Sequence, residues 1–293
     1  RKKKYKNIIK IDKPYILFLG TNLLFREELK CLKILDEKIN QNNLHSRLKI
    51  IYRFHPQLSE KFRSDLRDRN SRFKPRIYEG YSTSDLVRAN KTFLSSDMPD
   101  FEIASLIHHE IQNRNSKDKN KEIIEAWNEI KNQFKDYKIK PIEWLNRARS
   151  RMQLLHNAPD QHGTFCVYVI LMNWLDPHKN YGVYVGQTRK EPEERFVEHK
   201  AGIRAGRGVE LRGMQLMWSL MPYSDNLLMA QSRKKYEGAV HHCLATVKAK
   251  GFKSGLLKVG GDGKNENPDE WPGAFQNRLR QFLRENQQLI LES

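Results

Sequence analysis

The sequence predicts an α/β protein with an N-terminal Rossmann-like parallel sheet and helices, a helical linker and a small C-terminal α/β domain. Three observations predict this organisation. A length of 293 residues favours two domains over one. Strand-like and helix-like patterns alternate through the first third, which is typical of a parallel sheet covered by helices. A polar, charged run at residues 112–122 separates that third from a second α/β pattern.

The predicted domain boundaries follow these changes in composition. They are a Rossmann-like domain at residues 1–111, a helical linker at 112–160, a small α/β domain at 161–262 and a helical tail at 263–293. The break near residue 160 rests on the loop-like run at 156–160, which contains Asn, Pro and Asp. The small domain is expected to contain a short, mainly antiparallel sheet.

Hydrophobic spacing predicts the elements of the first domain. Four strands are expected, at residues 15–19, 48–52, 76–78 and 91–94. Helices are expected between them, at residues 24–39, at 59–68, from a cap at Ser84 or Asp85 through Val87, and from a cap at Asp100 past Leu106.

The rest of the chain begins with two predicted helices. The first carries an apolar stripe from Ile123 to Tyr137, and the second has Pro141 in its first turn and runs to about Leu155. Strand patterns at residues 165–171 and 181–185 predict a hairpin that places Tyr168 and Tyr184 on neighbouring strands. Further helices are expected near residue 191, at 224–250 with Gly251 as the C-cap, and at 272–290.

The net charge and the cysteine spacing indicate which kinds of partner and which cellular compartment to expect. The chain has 53 Lys and Arg against 35 Asp and Glu, a net charge of +18, which attracts polyanions such as DNA, RNA, anionic lipid or nucleotide sugars. The longest apolar stretch, residues 165–175, is too short to span a membrane, and no targeting segment is visible. Three widely spaced cysteines without CxxC spacing argue against a disulfide framework and a zinc site. We therefore expect a cytoplasmic protein.

The second α/β pattern carries an ordered set of polar side chains. Cys166-Val-Tyr168 and Tyr184-Val-Gly186 lie on the two predicted hairpin strands. Arg195 and His199 follow on a predicted helix, and their four-residue spacing places them on one face. Glu237 lies off the apolar stripe of the later helix, with His241 one turn beyond it.

In their order and spacing, these residues resemble the GIY-YIG nuclease family over about residues 163–261. The resemblance implies an endonuclease that hydrolyses duplex or branched DNA with a single divalent metal, Mg²⁺ or Mn²⁺. It implies that Glu237 binds the metal, that Tyr168 or Tyr184 is the general base, and that Arg195 and His199 complete the catalytic set. One position departs from the family, because Ala249 stands where an Asn is usual; Asn265 and Asn267 are alternatives from the following loop.

Phosphodiester hydrolysis explains why these residue types are needed. A hard cation held by a carboxylate neutralises phosphate charge and favours the leaving oxygen. Arg195 can bind phosphate through its planar fork of donors. A tyrosine beside positive charge has a lowered pKa and can take a proton from water, while His199 can orient water or assist that transfer.

Polar and basic residues around this set are candidate nucleic-acid contacts, although a solvated basic face would give the same pattern. They are Gln187, Lys200, Arg204, Arg207, Lys234 and Lys235. The run His241-His242-Cys243 is a weaker metal candidate, since adjacent residues point to different helix faces and no fourth ligand is evident.

The first third shows a different resemblance, to the nucleotide-sugar half of GT-B glycosyltransferases. It rests on the strand and turn at residues 15–22, on Arg53-Phe-His-Pro56 after a strand, and on the run from Ser95 to Glu102. By that analogy, the residues near a donor diphosphate would be Thr21, His55, Ser96 and Glu102. The alternatives to a nuclease are therefore a glycosyltransferase or nucleotide-sugar-binding protein, and an inactive nuclease fold that only binds nucleic acid.

Overall fold

The computed structural model describes residues 15–19, 34–35, 37–39, 41–42, 49–53, 56–96, 98–156, 163–173, 181–206, 208–224, 233–250, 252 and 254–262. The chain divides into two compact units. The first contains residues 1–63, 81–100 and 111–140, and the second contains 64–80, 101–110 and 141–293. The α/β class is confirmed, whereas the domain boundaries at residues 111, 160 and 262 stay predictions.

Two parallel strands belong to the first unit. β1 (Tyr15–Leu19) pairs with β2 (Lys49–Arg53), with Tyr15 opposite Lys49 and Leu19 opposite Arg53. Helix α1 (Pro56–Arg67) follows β2 and matches the predicted helix to within a few residues. Most of the helix predicted at residues 24–39 lies outside the described residues.

The strand predicted at residues 91–94 is wrong, because these residues belong to helix α3 (Thr83–Ser95). Ser82 caps this helix, accepting a hydrogen bond from the backbone N–H of Asp85 at 3.1 Å. Leu86 and Phe93 recur at helical spacing and are buried. Four apolar residues taken alone fit a strand, whereas the longer 3.6-residue period shows a helix.

Helices α3 and α5 (Lys121–Asp136) pack against each other in the first unit. A buried amide pair links them, with Asn90 Nδ2 donating to Gln133 Oε1 at 2.9 Å. Ile130 and Phe134 are buried, as the predicted apolar stripe requires. Between these two helices along the chain comes α4 (Phe101–Lys117), which begins directly after Asp100 as predicted.

The strand predicted at residues 76–78 is also wrong, because residues 75–80 form turns after the short helix α2 (Arg69–Arg72). A buried guanidinium holds this backbone. Nη2 of Arg149 donates to the carbonyls of Arg72 at 2.7 Å and Lys74 at 2.6 Å. These bonds fix the backbone immediately before residues 76–78, and such tertiary contacts override the local β propensity.

Arg149 lies on helix α6 (Leu145–His156), which belongs to the second unit. Pro141 lies four residues before this helix, so the prediction that placed it in the first turn is wrong. Helix α6 packs against α9 (Arg233–Ala245). Helix α9 ends five residues before the predicted end at residue 250, because Lys248 and Leu256 form an isolated antiparallel β-bridge there.

A four-stranded mixed sheet forms the centre of the second unit. Its order is β5-β3-β4-β6, from β3 (Cys166–Asn173), β4 (Tyr181–Thr188), β5 (Gly213–Leu216) and β6 (Val259–Gly260). β3 is antiparallel to β4 and β5, and β4 is parallel to β6. The predicted hairpin and the mainly antiparallel sheet are therefore confirmed.

The remaining helices of the second unit are α7 (Pro192–Lys200), α8 (Val209–Arg212) and a 3₁₀ turn at Trp218–Leu220. The start of α7 at Pro192 agrees with the prediction, since proline suits the first turn of a helix. The proposed cap Gly251 and the tail helix at 272–290 lie outside the described residues. No helix in the described part of the chain is both long and apolar enough to cross a membrane.

Candidate active site

Three aromatic rings meet on one face of the mixed sheet. Tyr168 of β3 lies opposite Gly186 of β4, and Tyr184 lies two residues away, so both tyrosines point to the same face. Their ring centroids are 6.4 Å apart. His199 of helix α7 lies 5.7 Å from the ring of Tyr168 and 5.8 Å from that of Tyr184. The structure thus gathers three of the predicted catalytic residues.

A hydrogen-bonded chain runs through His199 in a defined direction. The backbone N–H of Gly206 donates to His199 Nδ1 at 3.0 Å, so this nitrogen carries no proton. Burial and the nearby Arg195 lower the pKa of His199 to about 4, so the ring is neutral near pH 7. Its one proton must then be on Nε2, which donates to Tyr168 Oη at 2.6 Å.

The two tyrosines continue this chain. The pKa values of both tyrosines are raised overall, with burial as the largest cause, so the lowered pKa predicted for the general base is wrong for the protein alone. For Tyr168, burial is followed by the charge of Tyr184, which raises the pKa further, and by Arg195, which lowers it. Burial and the charges of Glu237 and Asp262 raise the pKa of Tyr184, whereas Arg195 and a hydrogen bond from Tyr168 lower it. Since Tyr168 accepts the hydrogen of His199, its own hydroxyl hydrogen is available to the oxygen of Tyr184.

Arg195 anchors the loop that follows α7. Its Nη1 donates to Glu198 Oε2 at 2.9 Å, and its Nη2 donates to the carbonyl of Arg204 at 2.7 Å. Glu198 also pairs with Lys190. Arg204 has a left-handed backbone with φ of 44°, a costly conformation for a residue with a side chain. The guanidinium of Arg195 therefore holds the strained turn that positions Gly206 two residues later.

Glu237 is the buried carboxylate of the site, with 5% of its surface exposed. Its Oε2 accepts a hydrogen bond from Gln187 Nε2 at 2.7 Å. The other amide atom, Gln187 Oε1, is buried without a hydrogen-bond partner among the described residues. Glu237 and Arg195 both act electrostatically on Tyr168, so the acidic and basic members of the predicted set converge there.

The donor atoms beside Glu237 fit a hard divalent cation. A carboxylate and an amide oxygen are ligands that Mg²⁺ accepts, and Mg²⁺ keeps several waters when the protein supplies few ligands. An unsatisfied buried amide oxygen next to a carboxylate is the arrangement that such a cation would complete. In the described part of the chain, no group of three or more His, Cys, Asp or Glu side chains forms a metal cage, the His241-His242-Cys243 run included.

Close packing makes two glycines part of the site. A Cβ built on Gly186 would lie 2.4 Å from Tyr168 Oη, and one built on Gly206 would lie 2.4 Å from Tyr184 Oη. Sequence reasoning missed Gly206. The available signal was the glycine-rich run at residues 202–208 after α7, where Gly206 supplies both the close approach and the N–H donor.

Asp262 is a second residue that sequence reasoning missed. Strand β6 places Gly260 opposite Tyr184, and a Cβ on the next residue, Gly261, would lie 2.1 Å from Val185 O. Gly261 has φ of +117°, so this tight approach depends on glycine. Asp262 follows, and its charge raises the pKa of Tyr184. Ala249, at the position of the family's Asn, is buried, whereas Asn265 and Asn267 lie outside the described residues.

The candidate nucleic-acid contacts differ in their surroundings. Lys200 Nζ donates to the carbonyls of Gly213, at 3.0 Å, and Glu210, and so holds the backbone of α8 and of the residue that follows it. The side chains of Arg204 and Lys234 are exposed, and Lys235 is partly exposed. Gln187 lies beside Glu237, and Arg207 lies outside the described residues.

The structure describes two of the four residues of the nucleotide-sugar analogy, which stays a prediction. Thr21 and His55 lie outside the described residues, and Ser96 and Glu102 belong to different compact units. Ser96 Oγ donates to the carbonyl of Met98 at 2.6 Å. Glu102 is fully buried and accepts from the N–H groups of Trp218, at 2.8 Å, and Ser219, at 2.9 Å. Its carboxylate therefore caps the 3₁₀ turn.

Acidification is expected to destabilise the protein through His199. The folded-state pKa of about 4 lies below the ordinary value of 6.5, so the unfolded chain takes up the proton first. The contribution to stability is complete above pH 6.5 and is lost as the pH falls toward 4. The expected loss in the free energy of unfolding is about 3 kcal/mol, measured by denaturant titration at a series of pH values.

The matched variant is His199→Gln, which removes this titration. It is expected to unfold more easily at neutral pH but to lose less stability on acidification than the wild type. His108, whose pKa burial lowers to about 3, contributes in the same direction in both proteins and cancels in the comparison. An equal loss in both proteins would contradict the assignment.

Comparisons with protein-family models, with curated proteins and with solved structures find no match to this chain.

Proposed function

We propose that the protein is a divalent-metal-dependent endonuclease that hydrolyses DNA through a GIY-YIG-type active site at residues 161–262. One observation carries the proposal: the directed hydrogen-bond chain from Gly206 through His199 to Tyr168, beside the buried carboxylate Glu237. A buried chain of neutral donors next to a carboxylate and an arginine suits proton transfer better than it suits packing alone.

The direction of the chain selects Tyr184 as the general base. His199 Nε2–H donates to Tyr168, and Tyr168 donates to Tyr184, so Tyr184 is the last member of the chain and passes no hydrogen to another member of it. Tyr184 is also partly exposed, whereas Tyr168 is buried. Burial and the charges of Glu237 and Asp262 raise the pKa of Tyr184, so its phenol is protonated near pH 7 in the protein alone. Positive charge from a divalent cation bound at Glu237 would lower that pKa, and the ionised Tyr184, stabilised by the hydrogen bond from Tyr168, would then take a proton from a water at the mouth of the site.

Arg195 and Glu237 divide the remaining tasks. Arg195 keeps the loop at residues 201–206 in place and supplies positive charge beside the tyrosines, where the phosphate would lie. Glu237, with the free oxygen of Gln187, would hold Mg²⁺ or Mn²⁺. When bound, such a cation neutralises phosphate charge and stabilises the leaving oxygen.

The choice of DNA as substrate rests on charge and chemistry together. The net charge of +18 attracts polyanions. DNA is a polyanion whose backbone consists of the phosphodiester bonds that the proposed site would hydrolyse. The proposal includes a Rossmann-like N-terminal domain that adds basic surface for a duplex or branched substrate. A reducing, cytoplasmic setting agrees with the buried free thiols of Cys166 and Cys243.

Plasmid nicking tests the proposed function. Supercoiled plasmid incubated with the wild-type protein and Mg²⁺ or Mn²⁺ is expected to relax to nicked circles, and EDTA is expected to stop the reaction. DNA binding in EDTA is measured in parallel by mobility shift. Salt-sensitive binding without nicking in either metal would show a nuclease fold that only binds nucleic acid and would reject hydrolysis.

A further inference from the structure

Two arginines meet on one buried aromatic ring at the edge of the proposed site. The guanidinium carbons of Arg189 and Arg233 lie 4.8 Å and 4.3 Å from the ring centroid of Phe165. Phe165 is almost fully buried, whereas Arg189 is exposed and Arg233 partly exposed. We call these three residues the arginine stack. Each guanidinium gains from the ring's quadrupole, which holds both side chains in place.

The stack concentrates positive charge that the described residues do not neutralise. Neither Arg189 nor Arg233 pairs with a carboxylate within the part of the chain that the structure describes. Glu193, close along the chain, pairs with Arg67 instead. The two positive charges beside one ring repel each other. A bound anion would attract both guanidinium groups and so offset their repulsion.

The fold places the stack beside the Gln187–Glu237 pair of the proposed active site. Arg189 immediately follows β4, two residues after Gln187, and Phe165 immediately precedes β3, so strand alternation places both on the sheet face of Gln187, opposite the face of the two tyrosines. Cys166 and Thr188 pair in the antiparallel ladder, so the residues flanking them are neighbours. Arg233 begins α9 one turn before Glu237, on the same helix face.

We propose that the arginine stack is a second phosphate site, which binds a backbone phosphate of the DNA strand beside the phosphate that is cut. This inference rests on the proposed nuclease function. A guanidinium against a ring uses its face, so its in-plane N–H donors remain available to phosphate oxygens in a bidentate arrangement. Two such donors, positioned in advance, would set the register of the strand without reading its sequence.

The salt dependence of DNA binding tests the stack. Binding of a labelled duplex is measured by fluorescence anisotropy in EDTA, so that no strand is cut. The slope of log K against log salt is expected to become shallower by roughly 0.9 in the double variant Arg189→Gln, Arg233→Gln, which no longer neutralises the phosphate. Each single variant, which keeps one guanidinium at the site, is expected to change the slope by less. Lys250→Gln, an exposed lysine on the same unit, removes the same charge and is expected to change the slope much less.

Two further readouts separate binding from folding and from catalysis. The double variant Arg189→Lys, Arg233→Lys keeps both charges but loses the planar forks. It is therefore expected to keep the wild-type slope and to bind DNA several-fold more weakly. If the double glutamine variant does not fold, the proposal is tested with this lysine variant instead. A slope for the glutamine pair equal to that of Lys250→Gln would overturn the stack, even if the plasmid is nicked. A shallower slope with no nicking would support the stack and overturn only the nuclease proposal.

Discussion

Glu237→Gln is expected to stop plasmid nicking while leaving DNA binding intact. The substitution keeps the size of the side chain but removes the charge that would hold a divalent cation. Loss of one preorganised electrostatic group in an active site lowers kcat by roughly a hundredfold or more. Nicking rates in Mg²⁺ and in Mn²⁺, with anisotropy in EDTA on the same preparation, give the measurement. Removing a buried negative charge beside phosphate should tighten binding slightly.

The control for this variant is Glu143→Gln, which neutralises an exposed carboxylate in the same compact unit. It carries the same charge change and is expected to nick at the wild-type rate. A Glu237→Gln protein that still nicks at the rate of the Glu143 variant would remove the carboxylate from the mechanism. Equal melting temperatures of the two variants would exclude misfolding as the reason for lost activity.

Gly186→Ala is expected to abolish activity through geometry alone. The new Cβ would lie 2.4 Å from Tyr168 Oη and 2.6 Å from its ring carbon Cζ, distances at which the tyrosine must move. Tyr168 is buried and bonded to His199, so its displacement breaks the hydrogen-bond chain. A shift of about 1 Å in a catalytic group costs roughly a hundredfold in rate. Overpacking adds about 1–3 kcal/mol of instability, visible as a lower melting temperature.

Gly80→Ala provides the matched comparison. A Cβ built on Gly80 meets nothing within 4 Å, and this glycine does not have a positive φ. The same added methyl group is therefore expected to change stability by less than about 0.5 kcal/mol and to leave nicking unchanged. If Gly186→Ala cut plasmid as fast as Gly80→Ala, the packing of Tyr168 against the strand would have no bearing on catalysis.

Elements with a long or capped pattern were predictable from the sequence, and short apolar runs were not. The hairpin of β3 and β4 is confirmed, and α7 begins at the predicted proline. Both failures in the first domain are runs of three or four residues. Residues 91–94 complete a helix whose period extends over 13 residues, and residues 76–78 form a turn after backbone that the distant Arg149 holds. A short window contains neither the full period nor the partner side chain.

Some residues of the candidate site could likewise be predicted from the sequence, and others could not. Tyr184, Arg195 and Glu237 were predicted because their order and spacing resemble the GIY-YIG family. Gly206 and Asp262 were not, because each reaches the site through a loop or a parallel strand pairing between distant segments. Which tyrosine ends the hydrogen-bond chain depends on a backbone N–H, and sequence patterns carry no information on that atom.

Local periodicity and composition were enough to establish the α/β class, the hairpin that holds both tyrosines and the charge that attracts polyanions. The folded chain was needed to establish the direction of the Gly206–His199–Tyr168 chain, the burial of Glu237 beside Gln187 and the meeting of two arginines on Phe165. Hydrogen-bond direction, burial and close approach are properties of atoms that are distant along the chain and adjacent only in the folded protein.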